Sequence, residues 1–518
     1  MSDPRPAPPG QEGIHRRLMV GWANKLVGLG INFGEQFLLV PVFLIFWGPE
    51  RYGDWLVLFS AAGMIALVDF GLQTYYANAG QMALSRGNHE AFHRLLHQAS
   101  ALYALLIGIA LSIIAIAAYA GRWGNILNLQ IVGPETASAI FLLLLMFFLA
   151  SLPMGVVMAI YRAHGHVATG IVVANISRLV LVGAVAVTLW AGGGLYSLAA
   201  IYIAVVAGNW AAVTAHQRRR YPALRHGIMW PDRTARRELL KIAPLYAVVP
   251  AALMLTIHGT IVLISTLAAA GQAVVAFATL RTLTGVARQA MDQLLQVTGA
   301  EFSRQFAQDD TSALAALYDF VSRLAGGVCG ALAGLIAIIA PAFLAIWTLG
   351  KVPFDPAIFW PLLATAGLAG PSIAGYAVLH HVNQPRGMAG AYGASGALTL
   401  ILCLLLIPRM GAAGAAWAVL IAEVAVLSLV IPNHAAKIVG GSFMTRFAKT
   451  QLCALSAFTI SAAGAWAAQT LIGSGTLVRL ILVGFLWCAL VTIPLVFLLF
   501  DGAKRRWIAD RLRDRLRS

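Results

Sequence analysis

Apolar residues fall along this chain in long unbroken runs. Such runs lie near 20–46, 54–77, 98–119, 138–161, 169–191, 195–215, 243–268, 274–300, 322–348, 357–382, 388–408, 413–432, 450–470 and 479–500. Each holds roughly twenty or more mostly apolar residues, which is what a helix needs to cross the hydrocarbon core of a bilayer. The runs are continuous where barrel strands would alternate, so a β-barrel is excluded. The pattern predicts an all-α integral membrane protein of about 14 transmembrane helices. The connections at 192–194 and 409–412 are so short that the helices they join must be antiparallel neighbours.

The longest loop within the helical body, 216–242, is basic and follows span six. It divides the chain into halves that resemble one another. Pro153 in span four matches Pro371 in span ten at an offset of 218, which also lays Arg162 on His380 and Gly193 on Gly411. The expected architecture is two pseudo-symmetric six-helix lobes plus two C-terminal helices. By segment, 1–17 reads as a disordered cytoplasmic tail, 18–215 as the N-terminal lobe and 216–242 as a cytoplasmic linker. The C-terminal lobe is 243–435, 450–500 holds the two additional spans, and 501–518 is a basic amphipathic tail suited to an anionic leaflet. Internal repeats in a membrane protein point to a transporter with its site between the halves.

Composition agrees: only 11% of the 518 residues are charged, and the mean hydropathy is +0.80. A soluble domain carries about 25%, so lipid is the solvent for most of this chain. The net charge of +16 would suggest nucleic acid in a soluble protein. Here the basic residues sit between the apolar runs, and they read as topology signals. With the N-terminus in the cytoplasm, the inside segments hold about 27 Lys and Arg. The outside loops hold only Arg51, Arg122, Lys351, Arg409 and Arg479. That asymmetry predicts a multi-pass protein of the bacterial inner membrane with both termini cytoplasmic. Nucleic acid is not expected as a partner.

Ionisable residues inside the membrane cost about 2.5–3.5 kcal/mol on insertion scales, so they mark partners or hydrated pathways. Span one carries Lys25, Gly28, Asn32 and Glu35 at steps of three, four and three, on one helical face. Such a face lines a cavity or packs on another polar helix. Span eight carries Arg281, Gly285, Arg288 and Asp292 at steps of four, three and four, flanked by Gln289, Gln293 and Gln296. Arg288 and Asp292 can pair at i, i+4, whereas Arg281 has no local partner. A lone guanidinium at depth suits a phosphate or pyrophosphate, gripped through two parallel hydrogen bonds. Arg178 in span five either binds substrate or pairs with Glu35 or Asp69. Asp69 and Glu423 either bind a coupling proton or cation or are buried structural groups.

Two other signals lead away from chemistry. His89-Glu90-Ala91-Phe92-His93 fits the HExxH pattern, but it falls in a short inside-facing helix without a third ligand at a known spacing, and no metal site is expected. Cys329, Cys403, Cys453 and Cys488 lie in apolar runs and read as small hydrophobes. No cofactor is expected.

The hairpin LLVPVFLIFWGPERYGDWLVLFSAAGMIALVDFGL is similar to the start of bacterial polysaccharide exporters, with a Gly-x-x-x-Tyr-Gly-x-Trp-like turn at Gly48 to Trp55 and Asp-x-Gly at Asp69 to Gly71. FATLRTLTGVARQ (277–289) resembles span eight of that family, and the Gly/Ala turn at 410–417 resembles its span-eleven to span-twelve hairpin. The family is the multidrug, oligosaccharidyl-lipid and polysaccharide (MOP) exporter superfamily, in its Wzx-type O-antigen flippase branch. The likeness covers most of residues 18–435. It implies flipping of an undecaprenyl-pyrophosphate-linked oligosaccharide from the inner to the outer leaflet by alternating access, in lipopolysaccharide or related polysaccharide biosynthesis. Fourteen spans are similar to the lipid II flippase branch. On this reading Arg178, Arg281 and Arg288 hold the pyrophosphate, with Lys25 near the cytoplasmic mouth. Asn32 and Gln289 line the cavity. Glu35, Asp69, Glu423 and Asp292 couple ions or act structurally. Partners are the lipid-linked substrate, membrane lipid and other polysaccharide-assembly proteins. A proton- or sodium-coupled multidrug antiporter of the same superfamily is the alternative. An enzyme such as a polymerase needs a large outer loop, and the longest here is only about 121–137.

Overall fold

A computed structural model describes residues 11–120, 126–224, 227–268, 271–295 and 298–500, with the side chains of 11–26, 113–120, 293, 294 and 300 left aside. The C-terminal tail, most of the N-terminal leader and the side chain of Lys25 therefore lie outside the described residues.

Every predicted span is mainly helical over its described residues, with short breaks in some of them. Span one and the first part of span two form α1 (Gln11–Gly63), kinked at Gly48. Span two continues through a 3-10 turn (Met64–Asp69) into α2 (Leu72–Ser85). Spans three to six are α3 (His89–Ala120), α4 (Pro134–Ser151) with α5 (Met154–Ala163), α6 (Val167–Trp190) and α7 (Leu195–Arg220). Span seven is α8 (Arg233–Met254), a π-turn (Leu255–Gly259) and α9 (Thr260–Leu267), and span eight is α10 (Gln272–Leu295). A short α11 (Gly299–Ala307) leads to span nine, α12 (Thr311–Trp347), and span ten is α13 (Pro356–Leu368) with α14 (Gly370–His381). Span eleven is α15 (Pro385–Met410). Span twelve is α16 (Ala412–Ala422), a second π-turn (Glu423–Leu427) and α17 (Ser428–Val439). The last two spans are α18 (Phe443–Ile472) and α19 (Leu477–Leu499).

Among the described residues, eleven helical stretches are long and apolar enough to cross a membrane, and the bent pair α13–α14 makes a twelfth. One of the eleven, Val27–Asp69, runs over the Gly48 kink and so holds parts of two spans. The fourteenth is α10, whose three charged residues dilute its apolarity; its 24 residues still reach about 36 Å at 1.5 Å each. The chain is thus an all-α, multi-pass membrane protein of about fourteen spans. Helix α1 begins at Gln11, inside the segment expected to be a tail, and between α7 and α8 the described residues 221–224 and 227–232 are non-helical.

Contacts group the chain into two units. The first is Met1–Phe46, Ile65–Gly124 and Gly133–Ala247; the second is Trp47–Met64, Asn125–Val132 and Val248–Ser518. Each holds a broken helix of the same design. Span four breaks at Pro153, and span ten bends by 46° just before Pro371. Proline lacks the N–H that continues the ladder and clashes with the carbonyl four residues back. In each unit a turn then leads to two long helices joined at glycine, Gly192–Gly194 or Gly411.

A buried carboxylate explains why 125–132 belongs to the second unit. Asp54 is fully buried and accepts from the backbone N–H of Gln130 (2.9 Å), Ile131 (2.9 Å) and Val132 (3.0 Å). Ser265 donates to the carbonyl of Leu127 in the same loop. Asp54→Asn keeps the shape but loses one acceptor oxygen, and is expected to cost about 2 kcal/mol. Thermal unfolding of the purified protein, with protease sensitivity of this loop, checks it.

At the polar ends, Asp310 caps α12 by accepting from Ala313 N–H at 2.9 Å, which holds its carboxyl below the usual range. Glu301 is lowered likewise by hydrogen bonds from Arg304 and Gln305.

Candidate functional site

Helix α10 organises the charged residues of the second unit. Its face carries Arg281, Arg288 and Asp292, and both π-turns meet it through these arginines. A π-turn inserts one residue into the helical ladder and disturbs carbonyl pairing there, which is why such turns recur at functional sites. Arg281 exploits this. Its Nη1 donates to the carbonyl of Ile257 at 2.9 Å, to Thr260 Oγ1 at 3.1 Å and to the carbonyl of Thr256 at 3.5 Å, all in or beside the first π-turn. Its guanidinium lies 5.2 Å from the centre of the Phe277 ring. Among the described residues no carboxylate pairs with it, and its Nε and Nη2 make no hydrogen bond.

Arg288 is different. Its Nη1 donates to Glu423 Oε2 at 2.7 Å. Glu423 opens the second π-turn and is buried. Its Oε1 accepts from Ser372 at 2.5 Å and from Ser428 at 3.4 Å. Ser372 directly follows the kink proline of span ten, so spans eight, ten and twelve meet at one carboxylate. The local i, i+4 alternative, Arg288 with Asp292, is not the ion pair formed. Asp292 is exposed, and its charge acts on Arg288 only from a distance. Gln289 has a partner of its own.

In the first unit, Arg178 Nε lies 2.7 Å from Glu35 Oε2, joining span five to span one. The contact is an ion pair without good hydrogen-bond geometry, since that oxygen has no hydrogen-bond partner. One turn away Asn175 covers Gly28, where an added Cβ would sit 2.9 Å from its Oδ1. Asn32 on the same face is also partnered. Asp69 accepts from the Tyr103 hydroxyl and, at 3.4 Å, from the backbone N–H of Gln73, so it closes the end of α2. Gly71 is fixed by its neighbours: its φ is +77°, and a Cβ there would lie 2.3 Å from the carbonyl of Ala243.

The HExxH segment starts α3. Phe92 at its centre is buried against His164, and His97 lies under Gly227 of the linker. Among the described residues no three His, Cys, Asp or Glu are grouped to hold a metal ion.

No protein-family model and no curated protein matches this chain in sequence. Solved structures do match its backbone. The lipid II flippase MurJ, in an inward closed conformation, aligns with a TM-score of 0.65 at 10% identity, over 91% of this chain and 98% of that one. An outward-facing multidrug-resistance MATE transporter of the MOP superfamily gives 0.56 at 11% identity, over 84% and 96%. A MOP transporter from Pyrococcus furiosus, described by the reverse polarity of its binding pocket, gives 0.57 at 13%, over 85% and 96%. The chain shares its fold with these structures.

Within that fold, sequence reasoning singled out most of the charged residues of the described spans, and missed the buried Asp54 and what holds the others. Ser372, Tyr103 and the two π-turns were not singled out. Ser372 carried a usable signal, because a hydroxyl beside a kink proline already matched across the repeat is well placed to meet a buried acid. The π-turns carried none, since one inserted residue leaves apolar periodicity almost unchanged.

Proposed function

We propose that this MOP-fold protein is a flippase of the Wzx-type O-antigen kind. It moves an undecaprenyl-pyrophosphate-linked oligosaccharide or related polysaccharide precursor from the inner to the outer leaflet of the bacterial inner membrane, by alternating access. Both termini face the cytoplasm, as the distribution of Lys and Arg requires. The observation that carries the reading is Arg281, a guanidinium within a span that no acid offsets among the described residues, and whose Nε and Nη2 make no hydrogen bond to them. That edge is the one that grips a phosphate with two parallel bonds. Arg178 and Arg288 are neutralised by Glu35 and Glu423 and join the anion only by exchanging those partners. Lys25 assists near the cytoplasmic mouth. Export of an anion toward the positive side is favoured by about 2.3 kcal/mol per charge per 100 mV. A proton at Glu35, Asp69 or Glu423 resets the cycle. The likeness to a protein named as a lipid II flippase supports a lipid-linked substrate.

A proton- or sodium-coupled multidrug antiporter is the second reading, favoured by the acid Glu423 buried in a hydroxyl network and by the MATE likeness. The test uses liposomes carrying a fluorescent undecaprenyl-pyrophosphate oligosaccharide in one leaflet. Wild type is expected to flip it. Arg281→Ala, checked for insertion and folding, is expected to be at least about 100-fold slower, because it loses two charge-assisted hydrogen bonds. Failure of wild type to flip, with uptake of an organic cation instead, establishes the antiporter.

A further inference from the structure

Beside Arg281 lies a second polar group without a partner. His258 sits in the π-turn Leu255–Gly259, one residue after the Ile257 carbonyl that Arg281 holds. Its Nδ1 is buried and has no hydrogen-bond partner. The ring is close enough to Arg281 for the guanidinium charge to act on it, and no carboxylate pairs with either group among the described residues. A buried polar atom left unsatisfied is costly and rare in folded proteins. Here it stands one residue from the Ile257 carbonyl that Arg281 holds, and the Nε and Nη2 of that arginine make no hydrogen bond among the described residues. The guanidinium charge beside the ring disfavours a metal cation, and a guanidinium edge together with an imidazole that can present its N–H from either nitrogen suits an oxyanion.

We infer that His258 is a second ligand for the anion held by Arg281, and that the anion is a phosphate or pyrophosphate. This rests on the reading of Arg281 as an anion site and deepens it. The Nε–Nη2 edge of a guanidinium takes two acceptor atoms in one plane, which already satisfies a carboxylate. A phosphoryl group keeps a further oxygen out of that plane, and a pyrophosphate keeps several. An imidazole N–H, available from either ring nitrogen, is the donor for one of them. The π-turn brings the two groups together: Arg281 clamps the carbonyls of Thr256 and Ile257 and the hydroxyl of Thr260, which fixes the turn that carries His258. The site thereby selects phosphate over carboxylate by its number of donors.

The full-length protein in nanodiscs is titrated with farnesyl pyrophosphate, and with farnesol as the uncharged control, following tryptophan fluorescence. Wild type is expected to bind the pyrophosphate and to bind farnesol far more weakly. Arg281→Ala abolishes that difference. His258→Phe, with unchanged melting temperature, weakens pyrophosphate binding about tenfold or more, as loss of one hydrogen bond to a charged group predicts. His258→Gln, which keeps an N–H donor, recovers most of it. If Arg281→Ala loses binding while His258→Phe does not, the inference about His258 is overturned and the anion site stands. Equal losses in His258→Phe and His258→Gln also overturn it, by assigning the ring to packing. If wild type does not distinguish pyrophosphate from farnesol, the anion site itself is overturned, and His258 with it.

Discussion

Glu423→Ala is expected to destabilise the protein by about 3–5 kcal/mol, the range for removing one partner of a buried ion pair. The side chain of Arg288 is only 25% exposed and that of Glu423 only 4%. Removing the carboxylate leaves the Arg288 guanidinium with only the more distant charge of Asp292, and strands the hydroxyls of Ser372 and Ser428. Glu423→Gln keeps an acceptor and is expected to lose roughly half as much, in line with the smaller worth of a neutral hydrogen bond. The double variant Arg288→Met with Glu423→Leu removes both charges, and should regain most of the stability. Unfolding measured by steric trapping in bicelles gives the three values. Additive losses in the double variant would show that the two residues do not depend on one another.

This pair also shows where the sequence is readable and where it is not. The spans are legible because lipid demands long apolar stretches with internally satisfied backbones. Even α10 is legible, because its charges recur at helical spacing. The partner of Arg288 is not. Local spacing favours Asp292, four residues away, but the tertiary partner is 135 residues off, and its place is fixed by the π-turn at Glu423 and the kink at Pro371. Arg178 had two acids in reach on sequence grounds, and packing of α6 against α1 selects Glu35. The Asp-x-Gly element was visible as a pattern. Its reasons appear only in the fold, where Asp69 bonds Tyr103 and the Gly71 backbone touches Ala243. Arg281 is the reverse case. It had no local acid in the sequence, no acid pairs with it among the described residues, and its bonds all run through one nitrogen.

The second large effect concerns the last two spans, which matched no motif. Gly330→Leu is expected to detach α18 from α12. Gly326, Gly330 and Gly334 repeat every four residues along α12 and lie directly on the backbone of α18. Added Cβ atoms would fall 2.7 Å from the carbonyl oxygen of Thr450, 2.1 Å from that of Ala454 and 2.4 Å from that of Phe458. Backbone cannot yield as a side-chain tip does, so even alanine does not fit at Gly330. Close approach at small residues is how helices associate where lipid removes the hydrophobic drive between them. The contact is reinforced by Ser461, which donates to the carbonyl of Ala331 at 2.5 Å and accepts from Trp487 Nε1 at 2.9 Å, so α19 is tied in as well. Overpacking a core costs about 1–3 kcal/mol when neighbours can shift, and more is expected against rigid backbone. The native thiols report the outcome. Cys329 and Cys453 are buried, as is Cys403, and Cys488 is exposed. A membrane-permeant maleimide should therefore label wild type at Cys488 alone, and Gly330→Leu at Cys453 in addition, with a lower melting temperature, while Cys329, packed with Met291, Ile373 and Val378, stays unlabelled. Unchanged labelling and unchanged melting would mean that α18 has another seat on the protein, and that the glycine row does not hold it.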